Sequence, residues 1–314
     1  MNNTDFSSIL SNCRLCPRNC GVDRTSGNSH TGFCGQGSDI NLARAALHFW
    51  EEPCISGTTG SGAVFFCGCN LRCVFCQNSD LANSKIGMSV SAERLSEIFL
   101  ELQEQKAANI NLITAGHFVP QVAHAIACAK DNGLTIPIVY NTGSYEYADT
   151  LKMLDGLIDI YLPDLKYMDS ELGKRFSHTA DYFDVATKAI KEMFSQVGTP
   201  VFTDDTNPLM KKGVIVRHLV LPNHTKDSCN ILDYLYKTYG DEIFISIMNQ
   251  YTPMPAVDCT QFPELTHTLT KRAYEKVINH AIDIGITNAF VQEGETFKDS
   301  FIPVWDYSGV LKSL

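Results

Sequence analysis

Residues 62–78 read GAVFFCGCNLRCVFCQN, and no other stretch restricts the fold and chemistry of this chain as tightly. An apolar run of β-forming residues, Ala63, Val64, Phe65 and Phe66, leads straight into Cys69, Cys73 and Cys76, with gaps of three and then two residues. A strand ending in three thiols on one short loop can hand three ligands to a single metal centre. Three thiolates suit three irons of a four-iron, four-sulfur cluster, and the missing fourth ligand leaves one iron open to a bound molecule.

The rest of the composition fits a folded protein with metal chemistry. At 314 residues, 44% hydrophobic and 19% charged, the chain is long enough for one large α/β domain and a small appendage. Its formal net charge is −10, and it has no Lys/Arg block, which argues against a nucleic-acid partner. Apolar runs fall short of the roughly 18 residues a membrane helix needs, and the start MNNTDFSSIL has no basic region before an apolar one. A cytoplasmic protein is expected. In that reducing compartment twelve Cys point to metal ligation rather than disulfides.

Residues 1–61 read as a Cys-rich, metal-binding extension with a linker, and 62–314 as the main domain. Cys13, Cys16, Cys20 and Cys34, threaded with Pro17, Gly21, Gly32 and Gly35, form a knuckle too polar for a core of its own. Zn²⁺ and a second iron–sulfur cluster both suit four such thiols. Residues 43–62 are expected to be a linker, with His48, Glu51 and Glu52 on a solvated surface or, alternatively, approaching the site. Strands are expected at 62–67, 109–115, 136–142, 159–165, 213–221 and 241–248, with a further one at 288–292. Amphipathic helices alternate with them at 92–107, 119–132, 145–154, 182–197 and 228–239, and a last one spans 265–283. Such alternation means parallel strands with right-handed crossovers, here an open, partial (β/α)6 barrel. Working residues then belong at the carboxyl ends of the strands.

The Cys69, Cys73, Cys76 spacing resembles the cluster motif of the radical S-adenosylmethionine (SAM) enzymes. That likeness implies that the three Cys hold a [4Fe–4S] cluster, that SAM chelates the open iron, and that Phe75 lies against the adenine. It extends to the strand ends. Thr114, Gly116 and His117 stand where the family has a turn that binds the SAM amino group, with His117 in place of the usual Glu. Asn141 and Thr142 resemble the third-strand turn of the glycyl-radical activating enzymes, with Asn141 replacing an Asp. Asp164-Leu165-Lys166 matches those activases' SAM-positioning element, and Arg217 their Arg-bearing strand. Asn249 and Gln250 are expected ribose or adenine contacts. Together with Cys-Arg-Leu-Cys-Pro-Arg-Asn-Cys at 13–20, these motifs are similar to an uncharacterised branch related to pyruvate formate-lyase activating enzyme.

The likeness implies reductive cleavage of SAM to a 5′-deoxyadenosyl radical, fed by an external one-electron donor such as flavodoxin or ferredoxin. Its target is a backbone glycine of a partner glycyl radical enzyme or, alternatively, a small molecule or peptide. A non-enzymatic, zinc-stapled interaction protein is a third reading.

Overall fold

A computed structural model of the chain describes residues 3–26, 32–204, 206–255, 257–292 and 303–312. The elements in order are α1 (Asn3–Leu10), β1 (Ile40–His48), α2 (Pro53–Ser56), β2 (Ser61–Phe66), α3 (Ser79–Ala82), β3 (Met88–Val90) and α4 (Ala92–Glu104). There follow β4 (Ile110–Ile113), α5 (Val119–Asp131), β5 (Ile138–Thr142), α6 (Ala148–Leu151), β6 (Ile160–Pro163), α7 (Ser170–Ser177) and α8 (Tyr182–Val197). The last are β7 (Val201–Phe202), β8 (Met210–Leu219), α9 (Thr225–Tyr239), β9 (Phe244–Met248), α10 (Lys271–Asp283) and β10 (Ala289–Val291).

One sheet runs β10-β9-β8-β6-β5-β4-β2-β1-β3 and does not close on itself among the described residues. The strands from β2 to β10 along that path pair in parallel, as the strand-helix alternation requires. The open parallel α/β core is the expected architecture. Every residue of β2 is buried, and helices lie on the sheet with apolar stripes of helical period. In α4 the stripe is Leu95, Ile98, Phe99 and Leu102, and Ser91 caps the helix by accepting a hydrogen bond from the Arg94 N–H. The last long helix starts later than its apolar period suggested, because Pro263–Thr266 turns as a short 3₁₀ segment and the Thr270 side chain caps α10.

The main departure lies in the stretch expected to be a linker. Residues 40–48 form β1, which pairs antiparallel with β2 and carries β3 on its other side. A fully buried β2 cannot leave an unpaired edge, and β1 supplies the partner. The tail strengthens this edge: Tyr307 N–H donates to the Ala43 carbonyl at 3.0 Å, Ala45 N–H donates to Ser308 at 2.8 Å, and Arg44 pairs with Asp306 at 2.5 Å. None of the described helices is long and apolar enough to cross a membrane.

Two buried histidines tie this fold to pH. Burial and the nearby Arg24 hold the His117 pKa at about 3, and burial holds that of His218 at about 4. Both lie below the ordinary value near 6.5, so the unfolded chain takes up these protons first as pH falls. The stability they contribute is complete above pH ~6.5 and drains away toward pH 3–4, at roughly 1.4 kcal/mol per pH unit for each ring. A urea series from pH 7 to 4.5 should show a falling midpoint, and His218→Gln should flatten its slope by one proton. An unchanged slope would remove His218 from the account.

Candidate functional site

The loop after β2 is built to present thiols. Gly68 takes φ +87°, and a Cβ there would sit 2.5 Å from Gln36 Cγ and 2.7 Å from the Cys34 carbonyl, so only glycine fits. The loop then turns through Arg72 at φ 49° and is tied down by Val74 N–H donating to the Phe176 carbonyl at 2.9 Å. Leu71 N–H donates to Cys69 Sγ at 3.3 Å, and Cys73 Sγ lies 3.0 Å from Ser177 Oγ. Cys69, Cys73 and Cys76 are all half-buried.

Burial pushes the Cys76 thiol up to about 12, and the neighbouring Cys73 and Cys69 add to the rise; burial raises Cys73 too, against the pull of Lys166. Cys73 and Cys76 therefore stay protonated unless a metal centre takes up the charge of their thiolates. The donor set therefore fits an iron–sulfur cluster.

Beside the loop, a cavity of about 260 Å³ lies at the carboxyl ends of the strands. Of the expected residues, Cys73, Phe75, Cys76, Asn141, Asp164, Lys166, Arg217 and Gln250 line it together. Phe75 is 7% exposed and edges onto Tyr167, Phe176 and Tyr251 at 6.1–6.4 Å between ring centres. Lys166 Nζ pairs with Asp164 at 2.5 Å. Burial works against the lysine's charge, but Asp164 and Cys73 outweigh it and hold the ammonium above its usual range.

Other expected residues sit elsewhere. Cys69 is not part of the cavity wall, and neither are Thr114 and Asn249; the Asn249 N–H donates to Gln292 Oε1 at 2.8 Å. The His117 ring is buried, with Nε2 2.7 Å from the Cys67 carbonyl. Gly116 packs on the carboxylate of Glu146, which also accepts the hydroxyls of Thr142 and Tyr140. Arg217 is already engaged: its guanidinium grips Glu52 through Nε at 2.9 Å and through Nη2, and Nη2 also meets Glu51. Glu51 and Glu52 are thus internal residues, not the solvated surface expected of them, because Arg217 neutralises charge that burial alone would not tolerate. His48 and Glu51, for which approach to the site was the alternative reading, line the cavity together with Trp50, which was missed; the signal was the polar and apolar alternation of 40–48, which marks a strand delivering this segment to the barrel mouth.

The Radical SAM superfamily model matches residues 63–234, more than half of the chain. The chain belongs to the radical SAM superfamily. Among curated relatives, an uncharacterized protein of Methanocaldococcus jannaschii is 28% identical over 87% of this chain and 75% of its own. The pyruvate formate-lyase-activating enzyme of Clostridium pasteurianum is 26% identical over 52% of this chain and 74% of its own. Among solved structures, Streptococcus suis SuiB bound to S-adenosylmethionine shares the fold with a TM-score of 0.50 at 14% identity, over 75% of this chain and 50% of SuiB. SuiB bound to its precursor peptide SuiA gives the same score over 73% of this chain and 47% of SuiB. This chain thus spans about half the length of SuiB.

Against the radical SAM core, the N-terminal thiols form a second group. Cys13 N–H donates to the Val22 carbonyl and Gly21 N–H to the Cys13 carbonyl, both at 2.9 Å, which closes the knuckle. Arg18 fastens it to the cluster loop by donating to the Asn70, His178 and Ser177 carbonyls at 2.6–2.8 Å. Arg24 donates to Cys13 Sγ at 3.5 Å and to the His117 carbonyl at 2.7 Å. Burial pushes the Cys16 thiol up to about 12, and Cys34 and Cys13 nearby add to it. Among the described residues no three His, Cys, Asp or Glu side chains converge on a point for a single metal ion, and this holds for both Cys sets.

Proposed function

We propose that this chain is a radical SAM enzyme that holds a [4Fe–4S] cluster on Cys69, Cys73 and Cys76 and binds SAM in the adjoining cavity. The observation carrying this reading is that Cys73, Cys76, Phe75, Asn141, Asp164 and Lys166 line one cavity. When bound there and reduced by a flavodoxin- or ferredoxin-like donor, cluster and SAM together supply a carbon-centred radical that takes a hydrogen atom from the substrate. The chain's own groups orient the reactants. Lys166, with Asp164 beside it, suits the aminoacyl carboxylate of SAM; Phe75 offers a flat face for the adenine; Asn141 and Gln250 offer polar contacts to the ribose. The apolar part of the wall, Phe65, Phe75, Ile113, Leu219 and Leu221, would shield the radical from water. A reducing cytosol is the compartment we infer, since twelve Cys are better explained there by metal ligation than by disulfides.

The cavity supports best a substrate that enters it, because the interior carries a charged group, Glu51 with Arg217, that a bare glycine backbone does not need. The second reading, activation of a partner glycyl radical enzyme, is favoured by the likeness to the Clostridium pasteurianum activating enzyme. Anaerobic incubation with SAM and a strong reductant should release 5′-deoxyadenosine; no release would sink the radical reading. Electron paramagnetic resonance with a candidate glycyl radical enzyme separates the two targets, since a persistent glycyl signal belongs to the partner reading alone.

We infer that Cys13, Cys16, Cys20 and Cys34 hold a second centre, Zn²⁺ or iron–sulfur, that fastens the knuckle. Cys13→Ala and Cys34→Ala should each lower the zinc or the iron count of the purified protein while the iron held by the other loop stays. Unchanged counts of both metals would refute it.

A further inference from the structure

The charges around the cavity do not balance. Two cations, Lys166 and Arg217, meet three carboxylates, Asp164, Glu51 and Glu52, among the described residues. Lys166 is matched by Asp164, and Arg217 takes Glu52 through both its Nε and Nη2. Glu51 shares only the already engaged Nη2, so one negative charge is left over. Its side chain is 7% exposed and lines the cavity. His48 on the same wall does not compensate, because burial pushes its pKa down and leaves the ring neutral.

A second, separate observation lies next to it. Asn111 is fully buried on β4, and its Nδ2 donates to Glu51 Oε1 at 2.9 Å. Its Oδ1 has no hydrogen-bond partner among the described residues. Asn111 shares a strand face with Ile113, which lines the cavity, so this amide belongs to the barrel interior one layer below the wall. A buried carbonyl oxygen without a donor is costly, and Asn111 carries that cost while its Nδ2 holds Glu51 at the cavity wall.

We propose that Glu51 forms the recognition site for a protonated primary amine on the substrate, with the Arg217–Glu52 pair and the Asn111 amide fixing Glu51 in position. A carboxylate whose two oxygens already accept from Asn111 and Arg217 suits the compact ammonium group, a point charge with three donors, better than a guanidinium, which takes both oxygens side by side. The substrate class is therefore an amine-bearing small molecule, or a side chain ending in such an amine. This assignment rests on the proposed function in taking the cavity to hold the substrate beside SAM.

The test is isothermal titration of the anaerobically purified protein, with SAM present, using n-butylamine, n-butanol and butyrate as probes. n-Butylamine should bind saturably, with n-butanol and butyrate each at least about tenfold weaker, the scale of one charge-assisted hydrogen bond. Glu51→Gln keeps the shape and leaves Arg217 its Glu52 partner, so the fold should survive; n-butylamine affinity should fall about tenfold. Asn111→Leu should lower it by less. Equal binding of butylamine and butanol, no butylamine binding once SAM is present, or an unchanged Glu51→Gln variant would each overturn the assignment. Release of 5′-deoxyadenosine by the unaltered protein reports separately on radical chemistry, so either idea can fail while the other stands.

Discussion

Cys69→Ala, Cys73→Ala and Cys76→Ala should each reduce 5′-deoxyadenosine release to background, a loss of more than ~100-fold, and each should strip iron from this loop. The size follows from the ligand count. Loss of a group that only orients a metal ligand costs about 10–100-fold in metal affinity or activity, and loss of a ligand itself removes more. With two thiolates a cubane has two irons without protein ligands, so the single open position is no longer defined. Cys67→Ala is the control. That thiol is fully buried just before the loop and packs near Gly87, and burial alone pushes its pKa up to about 12. It should keep its iron and its SAM cleavage, with only a small loss of stability from the cavity left behind. Iron analysis and product chromatography on the four variants decide the matter. An iron-replete Cys73→Ala protein, or a Cys67→Ala protein without iron, would move the cluster to a different set of thiols.

Much of this fold was legible because its signals are local. β2, β5, β6 and β9 are short β-branched or aromatic runs, and α8 spans the residues its apolar period marks out. The cavity wall at Asn141, Asp164 and Lys166 follows from the rule that parallel strands carry function at their carboxyl ends. What escaped depends on partners far away in sequence. Arg217 reads equally well as an anion binder or a salt bridge until Glu51 and Glu52, more than 160 residues earlier, are brought against it. His117 lies at a strand end like the others, yet its ring turns inward to the Cys67 carbonyl, and Arg24 from the knuckle donates to its backbone carbonyl. The β1 strand was hidden by the Gly- and Ser-rich stretch behind it, and its outer edge is completed by β3 and by Tyr307 and Ser308, both distant in sequence. Periodicity carries no record of such pairings.

The Arg217 group makes the strongest claim about stability. Arg217, Glu51 and Glu52 have side chains only 11%, 7% and 6% exposed, and the arginine is the one cation paired with both acids among the described residues. Arg217→Met should therefore cost about 3–5 kcal/mol, the penalty for leaving buried charge without its partner, and shift the urea midpoint accordingly. The deficit should also depend on pH with a definite sign. In the unaltered protein burial disfavours the Glu52 charge, but Arg217 outweighs it and holds the carboxyl below its ordinary value near 4.5. That contribution is complete above pH ~4.5 and lost as pH falls through the lower, folded-state value. In Arg217→Met only burial acts, the carboxyls rise above their ordinary value, and the variant gains relative stability as pH falls. The gap between the two proteins should thus be widest at pH 7 and narrow toward pH 4. Adding Glu51→Gln and Glu52→Gln to Arg217→Met should recover most of the loss at pH 7, since the charges that need the arginine are gone. A gap under ~1 kcal/mol at pH 7, or one that widens in acid, would mean that the two carboxyls already share a proton and that Arg217 is not what makes their burial possible.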